Sequence, residues 1–460
     1  MQKKNLFGIA LLCASVFLFT GCKEIMSHFD NAVDSHLQVA DKVTVIGVGG
    51  TYQIAKDVDY KTISDADPSF ESLDKAIATV EPKTGVVKAL KSGDARIKIS
   101  LPDNGLYLDA SAVINVKVRV ETFEQLVDEV KNASTEEKTS IYLAKDATID
   151  MTSNLKLEGK DVAIIGENTT IKSKSSFLVS KSFTVENVKF DLDASAAKQF
   201  IMLSPAENTP KNDEIYTDAG KKDLYLCENI TIKNVIIKDL ANSLVYMNKK
   251  NWALVNLNIE NSIVQFNFSN SKSIIDFKTG EQDSYAKTDP KYSTTTNMGS
   301  IKNISIINNT FYNVQANSSG YFLRFASADA SQCFGTKNGT STYDYNMSNN
   351  TFIRTMTGKD FANQMNNSKK LKNTFKNNIF YDVYRIYQYV NSNHQLDVSG
   401  NYIFYGVTAK QNNDLNYATE LTTAPFTAPT EALDLTKEKG GWNLKPTGNA
   451  AAAGDPRWTK

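Results

Sequence analysis

The stretch Ile304-Ser305-Ile306-Ile307-Asn308-Asn309-Thr310-Phe311 carries the signature that decides the fold: a short apolar run, an Asn, and a large apolar residue three positions after that Asn. The pairing returns as Asn168/Ile171, Asn187/Phe190, Asn234/Ile237, Asn256/Ile259, Asn349/Phe352, Asn377/Phe380 and Asn401/Phe404. The steps between successive Asn are 19, 47, 22, 52, 41, 28 and 24 residues. The short steps cluster, and several long ones are close to twice that value. A fixed period of this size means stacked units that each lend one face to a shared core. Strand-rich units with Asn at the turns predict an all-β chain whose main body is a right-handed parallel β-helix. The Asn itself has two readings. It can satisfy turn backbone groups and tolerate left-handed geometry, coil upon coil, or it can face outward and touch a ligand. We adopt the ladder.

Outward from that stretch, the coils are expected over residues 139–405. Each holds a second strand, read at Phe200-Ile201-Met202-Leu203, Leu244-Val245-Tyr246-Met247, Ile274-Ile275-Asp276-Phe277, Phe322-Leu323-Arg324-Phe325 and Ile386-Tyr387-Gln388-Tyr389. Strand alternation places side chains. With Ile275 and Phe277 inward, Asp276 and Lys278 face out. With Leu323 and Phe325 inward, Arg324 faces out, and Met202, Tyr246 and Gln388 follow by alignment. Parallel strands stack ~4.8 Å apart, so Tyr246, Asp276, Lys278, Arg324 and Gln388 are expected to form one polar ridge. Such a set suits an acidic or hydroxyl-rich polysaccharide. Arg grips a carboxylate bidentately, Tyr stacks on a sugar face, and Asp and Gln take hydroxyls. The plain alternative is a solvated face with an Asp276–Arg324 ion pair of little consequence. Polar inserts at 204–224, 279–300 and 328–343 interrupt the period, and solenoid inserts emerge as loops, often on the binding face.

The N-terminal end reads differently. Lys3 and Lys4, an apolar run from Leu6 to Phe19, and Thr20-Gly21-Cys22 describe a secretory signal over 1–21. Phe19-Thr20-Gly21-Cys22 resembles a bacterial lipobox, which implies lipidation of Cys22 and a lipid-anchored protein of the outer membrane. A polar tether, 22–38, follows. Its Lys23-Glu24 start is similar to the surface-export signals of Sus-like glycan-utilisation systems. Residues 39–120 alternate apolar and polar between turns, as a small β-sandwich does. Ile77-Ala78-Thr79-Val80, Gly85-Val86-Val87 and Gly93-Asp94-Ala95-Arg96-Ile97 resemble the bacterial Ig-like domain of the group-2 type, with 70–75 as an insertion. Such domains usually act as spacers. Thr122-Phe123-Glu124-Gln125 fits a capping box and opens a helix expected within 121–138. That segment resembles the helical N-cap of pectate-lyase-like β-helices, which covers the otherwise open first coil. The tail, 406–460, resembles the C-terminal cap of surface β-helix lipoproteins. On that reading Trp458 is part of the cap and not a sugar platform.

Composition narrows the function. The formal net charge is zero with 41% hydrophobic residues, which argues against nucleic acid as a partner. Of four Cys, Cys13 lies in the signal and Cys22 is the lipid site, so Cys227 and Cys333 are expected as buried thiols or a disulfide. Only His28, His36 and His394 exist, which disfavours a His-based triad or a zinc site. No metal and no cofactor is expected. Ser271 to Lys278 and Phe322-Leu323-Arg324-Phe325 are similar to motifs of chondroitinase-B and alginate-lyase-type β-helix lyases. That resemblance implies Lys278 as base and Arg324 as acid. The family's two metal-binding Glu are Ser271 and Ser273 here, and its His after the Arg is Phe325. The resulting expectation is a lipid-anchored, non-catalytic polysaccharide-binding protein of a glycan-utilisation system, partnered by outer-membrane glycan-import proteins. The alternatives are a lyase for uronate-containing glycans and a structural or adhesive surface protein.

Overall fold

A computed structural model describes residues 33–459 except 208, 217–223, 249, 270–271, 279–298, 316–319, 326–330, 336–341, 364, 366–368, 391 and 430. The signal, Cys22 and most of the tether lie outside the described residues. The chain divides into two compact units, 1–119 and 120–460.

The first unit is a two-sheet β-sandwich. One sheet runs Thr44–Gly47, Ala110–Arg119, Gly93–Leu101, Ser69–Ser72, and the other Thr51–Gln53, Val86–Ala89, Ala78–Val80. Gly93–Leu101 alternates strictly, so Ala95, Ile97 and Ile99 enter a core shared with Val87, Val116 and Val118. Two expectations change. Residues 70–75 are not an insertion: Ser69–Ser72 pairs with Gly93–Leu101, and Phe70 is buried in the core. Gly85 stands at φ 72° with its Cα against the Phe70 ring, where a Cβ would approach to 2.9 Å. The tether also ends early, because Val33 bridges Tyr107 and Gln38–Val39 pairs with Tyr60–Lys61.

The second unit opens with the helix Phe123–Lys131. Its capping box is complete: Thr122 accepts from Gln125 N, and Gln125 Oε1 accepts from Glu121 N at 2.7 Å and Thr122 N at 3.1 Å. Phe123, Leu126 and Val130 are buried against the first coil. The coils that follow have three parallel faces. Face A includes Thr139–Tyr142, Tyr225–Lys233, Trp252–Glu260 and Gly299–Ile307. Face B includes Thr148–Met151, Ile236–Leu240, Ile263–Phe266, Thr310–Asn313, Thr351–Ile353 and Ile379–Tyr381. Face C is a seven-stranded sheet: Leu155–Leu157, Phe177–Val179, Ile201–Leu203, Val245–Tyr246, Ile275–Phe277, Leu323–Phe325 and Ala362–Asn363. This is a parallel β-helix.

The A/B corner explains the signature. Asn168, Asn187, Asn234, Asn261, Asn308, Asn349 and Asn377 all have φ between 48° and 61°, a region Asn tolerates better than most residues. Their amides bond in series, Asn234 to Asn187 and Asn349 to Asn308 at 3.1 Å, Asn377 to Asn349 at 3.2 Å. Three residues on, Ile171, Phe190, Ile237, Val264, Phe311, Phe352 and Phe380 share one register inside the core. There the Phe311, Phe352 and Phe380 rings stack at 5.3 and 5.1 Å. Asn256 and Asn401 are not corner residues. Asn256 stands mid-strand on face A between Asn229 and Asn303, bonded at 2.8 and 2.9 Å. Asn401 ends a second, buried ladder, Asn309–Asn350–Asn378–Asn401, with links of 3.1, 3.0 and 2.9 Å. The long steps hide no missing rung either. The strand Ser182–Leu192 pairs directly with Tyr225–Lys233 and Ile236–Leu240, so the step from Asn187 to Asn234 is one coil carrying an insert.

The first part of the tail stays on the last coil, where Thr419–Glu420 pairs with Tyr402–Phe404 and Asp414 accepts from Tyr387 N and Tyr405 Oη. Residues 421–459 run back along the outer side of face B, where Phe426, Leu433, Leu444, Ala453 and Trp458 pack on Ile263, Tyr312, Ile353 and Ile379. Arg457 donates to the carbonyls of Asn261, Ser262 and Asn308 at 2.9, 2.8 and 3.0 Å. Trp458 is 4% exposed and its Nε1 donates to Thr310 at 2.7 Å, which leaves no ring face for a sugar.

Candidate functional site

Face C holds the expected column, with changes at its far end. Consecutive coils place Met202 beside Tyr246, Tyr246 beside Asp276, and Asp276 beside Arg324. The flanking Ile275, Phe277, Leu323 and Phe325 are buried in the core, so the column lies on the outer side. Gln388 does not join it. The next coil contributes Asn363, and Ile386–Tyr389 forms a one-turn helix where a strand was expected. Ile386 and Tyr389 are the buried pair there, a spacing of three that a 3₁₀ turn satisfies and a strand does not. Arg385 enters that turn in left-handed geometry at φ 52°.

Asp276 differs from the expected ridge residue in being 8% exposed. Burial raises its carboxyl to about 6, opposed by the Lys278 amide and the Arg324 and Lys278 charges. Arg324 Nη1 lies 3.5 Å from Asp276 Oδ2, and Lys278 N donates to Asp276 Oδ1 at 2.9 Å. The Asp276 carboxylate therefore orients the Arg324 guanidinium and fixes the backbone at Lys278. Arg324 keeps its side chain 28% exposed, while its Nε has no acceptor among the described residues. Tyr246 and Lys278 are half-buried. Ser273, which stands where the lyases carry a metal-binding Glu, is buried in the preceding turn and accepts from Tyr321 N at 3.3 Å.

The inserts at 204–224 and 328–343 leave the coil at one corner, after a face C strand and before the next face A strand, whereas residues 279–298 of the insert at 279–300 lie outside the described residues. The described parts of the first and third meet: Asn212 donates to the Cys333 carbonyl at 2.8 Å, and the Tyr216 and Phe334 rings meet edge-on at 5.3 Å. This corner borders the column. Cys227 and Cys333 are buried thiols and not a disulfide.

Two stretches match known families. Residues 35–105 match the bacterial Ig-like domain (group 2). Residues 143–289 match the family described as Domain of unknown function (DUF4957). None of the curated proteins matches the chain. The N-terminal unit is thus a group-2 bacterial Ig-like domain. The DUF4957 match spans the first coils and takes in Tyr246, Asp276 and Lys278, while Arg324 lies beyond it.

A second concavity, not foreseen from the sequence, opens on face B where the C-terminal tail stops short. It measures about 660 Å³ and is lined by Asp150, Lys172, Lys174, Asp191, Asp193 and Asp239 among others. Its charges alternate in register, Asp150, Lys172, Asp191, Lys238, and neutralise one another, as in Lys174–Asp193 at 3.1 Å and Lys238–Asp191 at 3.3 Å. No aromatic ring lines it. Among the described residues no cluster of His, Cys, Asp or Glu could hold a metal ion.

Proposed function

We propose that this chain is a lipid-anchored extracytoplasmic protein that binds a polysaccharide along face C, without covalent chemistry, as part of a glycan-utilisation system. The supporting observation is the unbroken register of Tyr246, Asp276 and Arg324 on adjacent coils. It sets a ring face, a carboxylate and a guanidinium on one outer line. A long saccharide laid along the axis can meet Tyr246 and Arg324 in turn, with the buried Asp276 between them holding the guanidinium, and the insert-bearing corner beside the line provides a wall. On this reading Cys22 carries the lipid, and outer-membrane glycan-import proteins receive the polymer.

Affinity electrophoresis of the purified protein in gels containing polysaccharides tests this. Retention in at least one gel, lost in Arg324→Ala, is the expected result. Absorbance of unsaturated products from uronate-containing polymers, abolished by Lys278→Ala, would replace the binding reading with the lyase. Free migration in every gel would point to a structural or adhesive role.

A further inference from the structure

The arrangement around Arg324 recurs at the B/C corner. Arg324 lies over the Tyr321 ring, 5.9 Å from its centre, and pairs with Asp276 of the coil before. Arg385 lies over the Tyr384 ring at 4.8 Å and pairs with Asp360 at 3.2 Å. Asp360 also sits one coil before its partner: Phe322 N donates to Phe361 O at 2.9 Å, and Phe361 N donates to Arg385 O at 3.4 Å. Tyr321, Asp360 and Arg385 therefore follow one another along the corner, beside Arg324 and Asn363.

Both guanidinium groups are pre-oriented and under-used. Arginine offers five N–H donors. Among the described residues Arg324 pairs only with Asp276, and beyond Asp360 the Arg385 side chain has one long bond, to Gln411 at 3.4 Å. Side-chain exposures of 28% and 39% leave both reachable. The two arginines are two coils apart along the axis, about 10 Å, and three residues apart across the strands, roughly another 10 Å. No single sugar ring bridges that gap. A ligand answering both presents two anionic groups separated by more than one sugar residue. Asp276 and Asp360, one beside each arginine, work against a polymer charged at every residue, because like charges brought together are penalised.

We propose that Arg385, Tyr384 and Asp360 form a second subsite, and that together with Arg324, Tyr321 and Asp276 it selects a polysaccharide bearing an anionic group on alternate sugar residues. This rests on the glycan-binding reading of face C. Calorimetric titration of the full protein with size-defined oligosaccharides tests it, using hyaluronan fragments (a uronate on alternate residues), polygalacturonate fragments (a uronate on every residue) and neutral xylan fragments. Arg385→Asn suits the left-handed backbone at φ 52°, Arg385→Lys keeps the charge, and Tyr384→Ala removes the ring and leaves both arginines in place. The expected result is preference for hyaluronan decamers. Arg385→Asn and Tyr384→Ala should each weaken the decamer about tenfold or more, some 1.4 kcal/mol, with Arg385→Lys retaining part of the loss and disaccharide affinity unchanged. If Arg324→Ala abolishes binding while Arg385→Asn and Tyr384→Ala bind decamers as the parent does, the second subsite is wrong and the face C reading survives. Equal or tighter binding of polygalacturonate overturns the alternating-charge selectivity. Absence of any glycan binding by the parent protein overturns both.

Discussion

At the scale of single residues, two buried carboxylates set a pH dependence opposite to that of surface ion pairs. Burial raises Asp276 and Asp414 to about 6 from 3.8. Each folded pKa lies above the unfolded one, so each contributes stability that is full below about pH 4 and lost as pH rises through 6. The shift corresponds to roughly 3 kcal/mol per group at the limit. Asp414 accepts from Tyr405 Oη and Tyr387 N, both at 2.9 Å, and an amide oxygen can keep the second bond. Asp414→Asn should therefore flatten the fall in urea midpoint between pH 4.5 and 7.5 relative to the parent, and equal slopes would count against the assignment. The buried amides act through geometry instead. Asn350 accepts from Asn309 N at 3.0 Å and Asn309 Nδ2 at 3.1 Å, and it donates to Ile306 O at 2.7 Å. Asn350→Ala strands several buried groups and should cost about 3 kcal/mol or more in denaturant unfolding. A loss below about 1 kcal/mol would show that water replaces the ladder. The corner Asn were legible because left-handed geometry favours Asn in any context. Asn256 and Asn401 misled because the same residue type also bonds its own kind within a strand and inside a turn. Only the register separates those three uses.

At the scale of elements, local chemistry decided the helix and the face C strands. Thr122 and Gln125 specify the helix start by mutual hydrogen bonds, and Thr122→Ala should lower the stability of residues 120–460 by about 1 kcal/mol. No change in its thermal transition would mean that packing of Phe123, Leu126 and Val130 alone holds the helix. Alternation around Ile275, Phe277, Leu323 and Phe325 was enough to put Asp276 and Arg324 on one line. It failed at Gln388 because Ile386 and Tyr389 meet the core at a spacing of three. Nor did alternation show that Asp276, although on the outer side, would be buried. Cover over a strand comes from residues distant in sequence, and period 2 contains no information about them.

For the whole molecule, the C-terminal strap is the feature that binds distant coils together. Gly454 N donates to Asn377 O, Asp455 accepts from Thr310, and Lys189 donates to Leu435 O. Deletion of 421–460 uncovers Ile263, Tyr312, Ile353 and Ile379 along one face, a contiguous apolar patch of the kind that self-associates. The truncated chain is expected to bind a hydrophobic dye, to elute as oligomers and to melt earlier than the parent. A monomer with the parent's transition would show the strap to be dispensable. Trp458→Ala, a gentler probe, should cost about 3 kcal/mol or more by leaving a cavity against Thr310.

Residue types and their spacing, taken alone, determined that strands would stack in parallel coils behind a capped helix, that Asn would line a corner, and that Tyr246, Asp276 and Arg324 would share an outer line. Those features depend on backbone conformation and on neighbours a few residues away, which the chain states directly. The length of each coil, the turn at Gln388, the burial of Asp276, the pairing of Arg385 with Asp360 and the path of the tail were settled only by tertiary structure. Each depends on which groups become neighbours after inserts of unequal length have been looped out, and loop closure adds little free energy per added residue, so no local rule fixes that outcome.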